Sequence, residues 1–520
     1  MKNEKDRSAL YKYLHKDIKE FNKHILSLVC VGILVGAGLL SYFITTSFAL
    51  FTDTIVGEKT IEGTVDLCSM NKPNAPVLDS AMIPVYYDEN TETWKKADST
   101  NKSNNWYDYC DKKWANSVTV SSTNRSQYQS ASVGTEIPMD DILTMQVWIP
   151  RYKYKVWNYN ADGTVSSNEQ QIEITFENGT NTTGEITCQD LISGTDGDPS
   201  ETCKIKSTNA TCTDSTCNNK TYTHPAFTFG NEEIKGFWIG KYELTGTIDS
   251  ITTKPDLQSL RNQKVSTFET NIMNIKNSNN QYGFSTNTDT HMIKNTEWGA
   301  VAYLSHSKYG TCTDGTCKEV NINNSFDFYT GRSGGSSSAS YTSEGTYKYN
   351  EIKSSDGALI GSGQDGPSAS TTHNIYGVYD MSGGANEYTM GNIVSPDGTT
   401  MMSGYSSRRN SGYKGIFYES GNYSLYPGVD YPNNKYYDKY SFSTSGETRI
   451  RSKLGDGIKE VYKGSDGWYA DSSSLAYSQN PWFVRGGFSN NRTYAGVFYS
   501  DYNYYGEANS FNSTRLIITP

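Results

Sequence analysis

Twenty-seven consecutive uncharged residues, ILSLVCVGILVGAGLLSYFITTSFALF from 25 to 51, constrain this chain more than any other feature. As a helix, the run is long enough to cross roughly 30 Å of hydrocarbon. The 24 residues before it hold seven Lys or Arg against four Asp or Glu. The sequence beyond Phe51 turns acidic. Residues 1–24 are therefore expected as a cytoplasmic tail, 25–51 as a transmembrane helix or signal anchor, and everything after residue 53 outside the cell. The small-x-small tripeptide Ser47-Phe48-Ala49 offers a competing outcome, cleavage and secretion, but the run and its charged tail are long for a signal sequence. A type IV prepilin is disfavoured, because no Gly-Phe pair with a following Glu precedes the run.

Cysteine usage agrees with export. Cys30 lies inside the apolar run, and the other eight, Cys68, Cys110, Cys188, Cys203, Cys212, Cys217, Cys312 and Cys317, form an even set beyond it. The strings TCTDSTC (211–217) and TCTDGTC (311–317) each place two Cys across a four-residue polar turn, which suits local hairpin disulfides. Zinc is the competing reading. The C-x4-C spacing and the extracytoplasmic setting favour disulfides over it, since oxidised thiols do not bind metal.

The bulk of the chain reads as β-rich. Tyr (40) and Gly (46) are abundant and charged residues make up only 20 %, a balance that disfavours a helical bundle. A net charge of -10 with no basic stripe argues against nucleic acid as a partner. Residues 54–135 mix short apolar runs with polar stretches and read as a small β-rich stalk module, with a Cys68–Cys110 bridge expected among Trp106, Tyr107, Tyr109 and Trp114. From about 136 the texture changes. ILTMQVWIPRYKYKVWNY (142–159) is the strongest strand signal, Pro150 marking an edge or bulge. Residues 160–222 are polar, hold four Cys and read as a stapled insertion. HMIKNTEWGAVAYLSHSKYG (291–310) is the clearest helix, capped by Asn295 or Thr296, with Glu297 near its positive end and Gly310 as its stop. Segments 332–345 and 353–370 are Gly/Ser-rich and read as surface loops.

In chain order, GFWIGKYELTG, NTEWGAVAY, GVYDMSGGANEYTMG, FVRGGFSNNRTYAG and STRLIIT resemble the formylglycine-generating enzyme (sulfatase-modifying factor) family, a branch of the C-type-lectin-like folds. The resemblance covers roughly 136–520 and implies an α+β, β-rich, C-type-lectin-like ectodomain behind the N-terminal helix. The family's oxidases bind copper through a cysteine pair after R-G-G, yet residues 318–520 contain no Cys. Its iron-dependent relatives need a His cluster, whereas His224, His291, His306 and His373 are scattered in sequence. The resemblance thus implies a scaffold without its oxidative chemistry: no catalytic residue and no metal site are expected. Calcium, which some lectin-like folds hold through carboxylates and carbonyls, stays open although no string shows a ligand spacing. Glu387, retained from the family's N-V-W-E-W motif, is expected to accept local hydrogen bonds rather than act as an acid. Gly377, Gly383 and Gly384 read as turn residues.

The stretch 485–520 also resembles the variable region of bacterial proteins diversified by retroelements that mutate adenines: anchors Arg485-Gly486-Gly487, Ala495-Gly496-Val497-Phe498 and Thr514-Arg515-Leu516-Ile517-Ile518 enclose runs of Tyr, Asn, Ser and Asp. Tyr provides rigid contact area while Asn, Ser and Gly adapt their hydrogen bonding. The expected ligand-binding residues are Asn490, Asn491, Arg492, Tyr494, Tyr499, Asp501, Tyr502, Asn503, Tyr504, Tyr505, Glu507, Asn509, Phe511 and Asn512. Strand alternation would put Tyr499, Asp501, Asn503 and Tyr505 on one face and Ser500, Tyr502 and Tyr504 on the other. The competing assignment makes these tyrosines ordinary β-domain packing. The favoured function is a membrane-anchored bacterial surface protein that recognises a protein or glycan. An enzyme of the same superfamily with an unrecognised site and a structural envelope or appendage component are the alternatives.

Overall fold

The computed structural model describes residues 71–156, 168–185, 220–325, 327–333, 366–446, 452–463 and 466–520. They form a strand-rich α+β fold. Residues 68–520 make one compact unit.

A seven-stranded antiparallel sheet organises it. Its strands are β1 (Ile83–Asp88), β2 (Thr93–Lys96), β3 (Asn116–Val120), β4 (Ile142–Pro150), β5 (Gly236–Gly240), β6 (Asp289–Met292) and β12 (Leu516–Thr519). They run in the order β6-β12-β5-β4-β3-β1-β2. The carboxyl end of the chain is thus a central strand, and β1 to β3, from the stretch 54–135, share the sheet with β4. Trp148 on β4 lies opposite Trp238 on β5 with ring centroids 5.3 Å apart, the kind of cross-strand aromatic pair that fixes register.

The expected strand signal from 142 is split at Arg151. Pro150 closes β4, Arg151 is fully buried against Glu177 at 2.8 Å, and the chain resumes as strand Tyr152–Lys155 in a separate three-stranded sheet with Glu173–Phe176 and Tyr222–Thr223. Losing its N–H and gaining a fixed φ make Pro a natural boundary between two sheets.

A second sheet carries the C-terminal stretch: β7 (Asn386–Ile393), β8 (Asp438–Tyr440), β9 (Trp482–Gly486), β10 (Gly496–Tyr504) and β11 (Asn512–Ser513), in the order β8-β7-β9-β10 with β11 paired to β7. Three α-helices are described: α1 (Ser122–Ser130), α2 (Val265–Asn274) and α3 (Asn295–Ser305). The expected helix at 291–310 is α3, shortened at its start because His291 and Met292 belong to β6. Lys294 is its N-cap, and its backbone N–H donates to Glu297 Oε2 at 2.8 Å. All eleven residues of α3 are buried rather than one face alone. Burial would raise the Glu297 carboxyl, but Lys294 and His291 beside it hold it down at about 2.

The membrane expectation is corrected. Among the described residues no helix is long and apolar enough to cross a membrane, and the tail 1–24 and the run 25–51 lie outside those residues. The transmembrane helix, the membrane as a partner, the single-pass topology and the anchored surface protein built on them are not carried further. Cys68, Cys188, Cys203, Cys212 and Cys217 likewise fall outside the described residues. Cys110 is disulfide-bonded, and the expected local bridge Cys312–Cys317 is formed.

Candidate functional site

Two fully buried guanidinium groups hold the ends of the C-terminal stretch. Arg515 donates through Nε to Glu387 Oε2 at 2.9 Å, through Nη2 to Glu387 Oε1, and through Nη1 to the Gly240 carbonyl at 3.0 Å. Glu387 therefore bonds not locally but to a residue 128 positions away. Glu243 accepts from the Ala385 backbone N–H at 2.9 Å, and Asp380 accepts from Asn323 at 2.8 Å and from the Gly331 N–H. Of the three carboxylates, Glu387 alone bonds the Arg515 guanidinium, while Asp380 and Glu243 act on it through charge. Burial raises Glu243 well above its ordinary value, with Asp380 and Glu387 adding to it. Burial also raises Asp380 to about 6 and Glu387 to about 7, against the pull of Arg515. Gly384, with φ +76°, lets the chain pass here, since a Cβ would meet Glu243 Oε1 at 2.4 Å.

Arg485 is the second anchor. Its Nε donates to the Tyr499 carbonyl and its Nη1 to the Asp456 carbonyl, each at 2.7 Å, and it lies over the Trp298 ring of α3. Nearby, Tyr154 and Tyr303 donate to Glu460, which burial raises to about 7. All these carboxylates are closed off from solvent.

Between the anchors the chain makes two loops, the first largely exposed and the second partly exposed. In the first, 488–494, the Asn491 side chain accepts from the Phe488 N–H at 2.7 Å, and Arg492 holds φ +55°. A non-glycine residue in that region is uncommon and concentrates at functional loops. Asn490 and Arg492 are exposed, and Tyr494 is 56 % exposed. The second loop, 505–511, is laid against the segment before α2: the Asn262 N–H donates to the Asn509 carbonyl at 2.9 Å, the Val265 N–H to the Gly506 carbonyl at 3.1 Å, and Arg261 to the Ser510 carbonyl. Asn509 folds back to accept from the Phe511 N–H at 2.8 Å. Phe511 is 44 % exposed.

These loops meet residues that sequence order does not connect. The Phe511 ring sits 5.3 Å from Phe488 and 6.2 Å from Phe328, with the Arg261 guanidinium 4.2 Å above Phe328. Leu257 is also exposed. At the other end of the second loop, Tyr505 is 5.5 Å from Tyr405, which continues to Tyr418 and Tyr423, with Arg409 over the Tyr505 ring. None of Leu257, Arg261, Phe328, Tyr405, Arg409, Tyr418 or Tyr423 is marked by the sequence, because nothing local distinguishes residues 62 to 228 positions before the terminal stretch, and Phe488 lies within that stretch without being among the expected contacts.

The remaining expected site residues are divided. Tyr499 and Asn512 are buried; the Tyr499 hydroxyl donates to Asp501 at 3.0 Å and the Asn512 side chain accepts from Asn386 at 3.2 Å. Tyr504 is half-buried and its hydroxyl accepts from Asn386 at 2.8 Å. Asp501, Tyr502, Tyr505 and Glu507 are half-buried, and the side chain of Asn503 lies outside the described ones. The expected alternation fails because β10 carries an extra residue opposite β9: Val484 pairs with Asp501 but Trp482 pairs with Tyr504. That bulge moves Tyr502 and Tyr504 off strict alternation.

A ring nitrogen of His306 and the sulfurs of Cys312 and Cys317 lie within 4.8 Å of one another. No family model matches the chain, and no curated protein matches it.

Proposed function

We propose that the chain is a recognition protein whose loops 488–494 and 505–511, together with Leu257, Arg261, Tyr405 and Arg409 and backed by the buried Phe328, bind the acidic surface of a protein partner. The observation that carries this reading is the pair of half-buried Phe488 and exposed Phe511, with Tyr494 exposed on the same loop as Phe488, alongside Arg261, Arg492, Asn490, Asn491 and Asn509. Rigid aromatic rings bring contact area at small entropic cost, guanidinium groups supply directed donors, and the amides form an adaptable rim. Arg261, Lys264, Arg409 and Arg492 outnumber the acidic groups in and beside the loops, Asp327, Asp501 and Glu507, on a chain whose net charge is -10. That local excess favours an acidic partner.

The resemblance to the formylglycine-generating enzyme family supports the same reading. Its motif residues Lys241, Glu243, Asp380, Glu387, Arg485 and Arg515 are all spent on internal packing, and no thiol follows the R-G-G string. We therefore take the chain as a non-catalytic member of the lectin-like branch.

Selection of a displayed random peptide library on the full chain tests the proposal, run beside a glycan array. Peptides enriched in Asp and Glu are expected, with binding that weakens as salt rises. The triple variant Arg492→Ala, Tyr494→Ala, Phe511→Ala should lose them while melting normally. Peptides that bind the variant equally well, or glycans retained in place of any peptide, would overturn the reading.

A further inference from the structure

Cys312 and Cys317 face each other in a short hairpin, Cys312–Thr313 against Thr316–Cys317, turned at Asp314 and Gly315 with φ of +50° and +78°. Their sulfurs are joined. The hairpin begins just beyond α3, whose closing residue is His306. Backbone hydrogen bonds stitch the two segments together: Thr311 N–H to the Ser305 carbonyl at 2.7 Å and Cys312 N–H to the Ser307 carbonyl at 3.1 Å. This fixes the distance from the imidazole to the sulfurs within the 4.8 Å span.

His306 is only 2 % exposed, yet its Nε2 has no hydrogen-bond partner. A sealed ring nitrogen without a partner is unfavourable unless something else satisfies it. The rings of Trp468, Tyr469 and Phe498 pack 5.2, 5.5 and 5.6 Å from it, and Glu169, which accepts from the Tyr469 N–H at 3.0 Å, is the acidic group that acts on it. Two sulfurs and one imidazole nitrogen, with ligand atoms this close, form the Cys2His donor set of a tetrahedral zinc ion that keeps one position open. The spacing His-x5-Cys-x4-Cys sets this pair apart from the similar string at 211–217, where Lys206 stands six residues before the first Cys.

We propose that the Cys312–Cys317 disulfide is a redox gate over a zinc site: once it is reduced, both thiolates and His306 bind one Zn2+, and reoxidation closes the site. Cys317 is the half-exposed sulfur and Cys312 the buried one, so a dithiol reductant attacks Cys317 Sγ. A mixed disulfide forms there and Cys312 departs as a thiolate. The reductant's second thiolate then attacks its own mixed-disulfide sulfur, leaves as a cyclic disulfide and frees Cys317. Two electrons and two protons pass from the dithiol to the two cysteines. Zinc then displaces both thiol protons to solvent.

The test uses the full chain, oxidised or reduced with dithiothreitol and desalted without oxygen, and titrated first with Co2+ and then with Zn2+. The reduced chain should show a thiolate-to-cobalt charge-transfer band and tetrahedral visible absorption for one equivalent beyond a Cys312→Ser, Cys317→Ser chain, bleached by Zn2+; the oxidised chain should show neither. His306→Ala should weaken cobalt binding at least tenfold. Should these variants misfold, alkylation of the reduced wild-type chain followed by mass spectrometry decides the matter, because Zn2+ should shield Cys312 and Cys317 at least tenfold. Equal alkylation with and without Zn2+, or cobalt binding unchanged by His306→Ala, would overturn the proposal.

Discussion

Arg485 and Arg515 sit at the two ends of the terminal stretch and are sealed in the core, whereas the loops between them, 488–494 and 505–511, reach solvent, the first more than the second. The contrast separates holding from presenting. The anchors bond to carboxylates and carbonyls up to 275 residues away, so the ends of the stretch are held from outside the loops. The sharpest way to break this picture is Arg515→Met. It would leave Glu243, Asp380 and Glu387 buried together without a cation, a loss of about 3–5 kcal/mol for a buried pair deprived of one partner. Urea unfolding followed by tryptophan fluorescence should show it. Arg515→Lys should recover only part, because an ammonium cannot bond both Glu387 oxygens as the planar fork does. A loss under about 1 kcal/mol for Arg515→Met would mean that the buried network is not what secures the carboxyl end.

The buried frame should also show itself through pH. Burial raises Asp380 and Asp456 to about 6, Glu387 and Glu460 to about 7, and Glu269 to about 8. The native state therefore binds more protons than the unfolded chain between the ordinary carboxylate range and those values, and stability falls as pH rises across that window. The opposite case, Glu297, held at about 2 by Lys294 and His291, contributes stability above the ordinary carboxylate range that disappears as pH drops towards 2. The melting temperature should accordingly be highest in mild acid and decline from pH 5 to 8. Glu269 accepts from the Met292 N–H at 2.6 Å and leaves its other oxygen without a partner. Glu269→Gln keeps the acceptor and removes the charge, so it should flatten the decline by an amount on the order of a few kcal/mol. The loop variants should leave the profile unchanged.

Much of the frame was legible and most of the presenting surface was not. α3 could be read because Glu297 suits the positive end of a helix and Trp298 opens an apolar run, although the cap is Lys294 and not Asn295 or Thr296; the Cys312–Cys317 hairpin could be read because two Cys flank a four-residue polar turn. The strand from 142 was visible, though not its break at Arg151, whose partner Glu177 lies within a stretch that read as a polar insertion. The composition of 485–520 pointed to contact chemistry without saying which tyrosines would be sealed. That was decided by the β10 bulge and by Asn386, a residue of another strand that bonds both Tyr504 and Asn512. Phe328, Arg261 and Tyr405 were invisible as site members because only tertiary packing brings them to the loops. The hydroxyls offer a finer cut between the two roles. Tyr504→Phe should cost about 1 kcal/mol, since the half-buried Asn386 bond is lost, whereas Tyr505→Phe should be close to neutral.

The smallest stability change is expected where the functional change is largest. Tyr494 is 56 % exposed, its backbone carbonyl accepts from the Ser472 N–H at 3.0 Å, and its N–H donates to the Asn491 carbonyl at 3.1 Å. Both bonds belong to the main chain and survive a side-chain replacement. Tyr494→Ser should therefore move the unfolding free energy by no more than about 0.5 kcal/mol while weakening selected acidic peptides at least tenfold, as expected for a rigid aromatic contact. Thermal melting and peptide titration on the same sample read both quantities. If the variant melts several degrees lower and still binds, Tyr494 belongs to the frame, and the division between anchors and loops must be drawn inside 488–494 rather than at its edges.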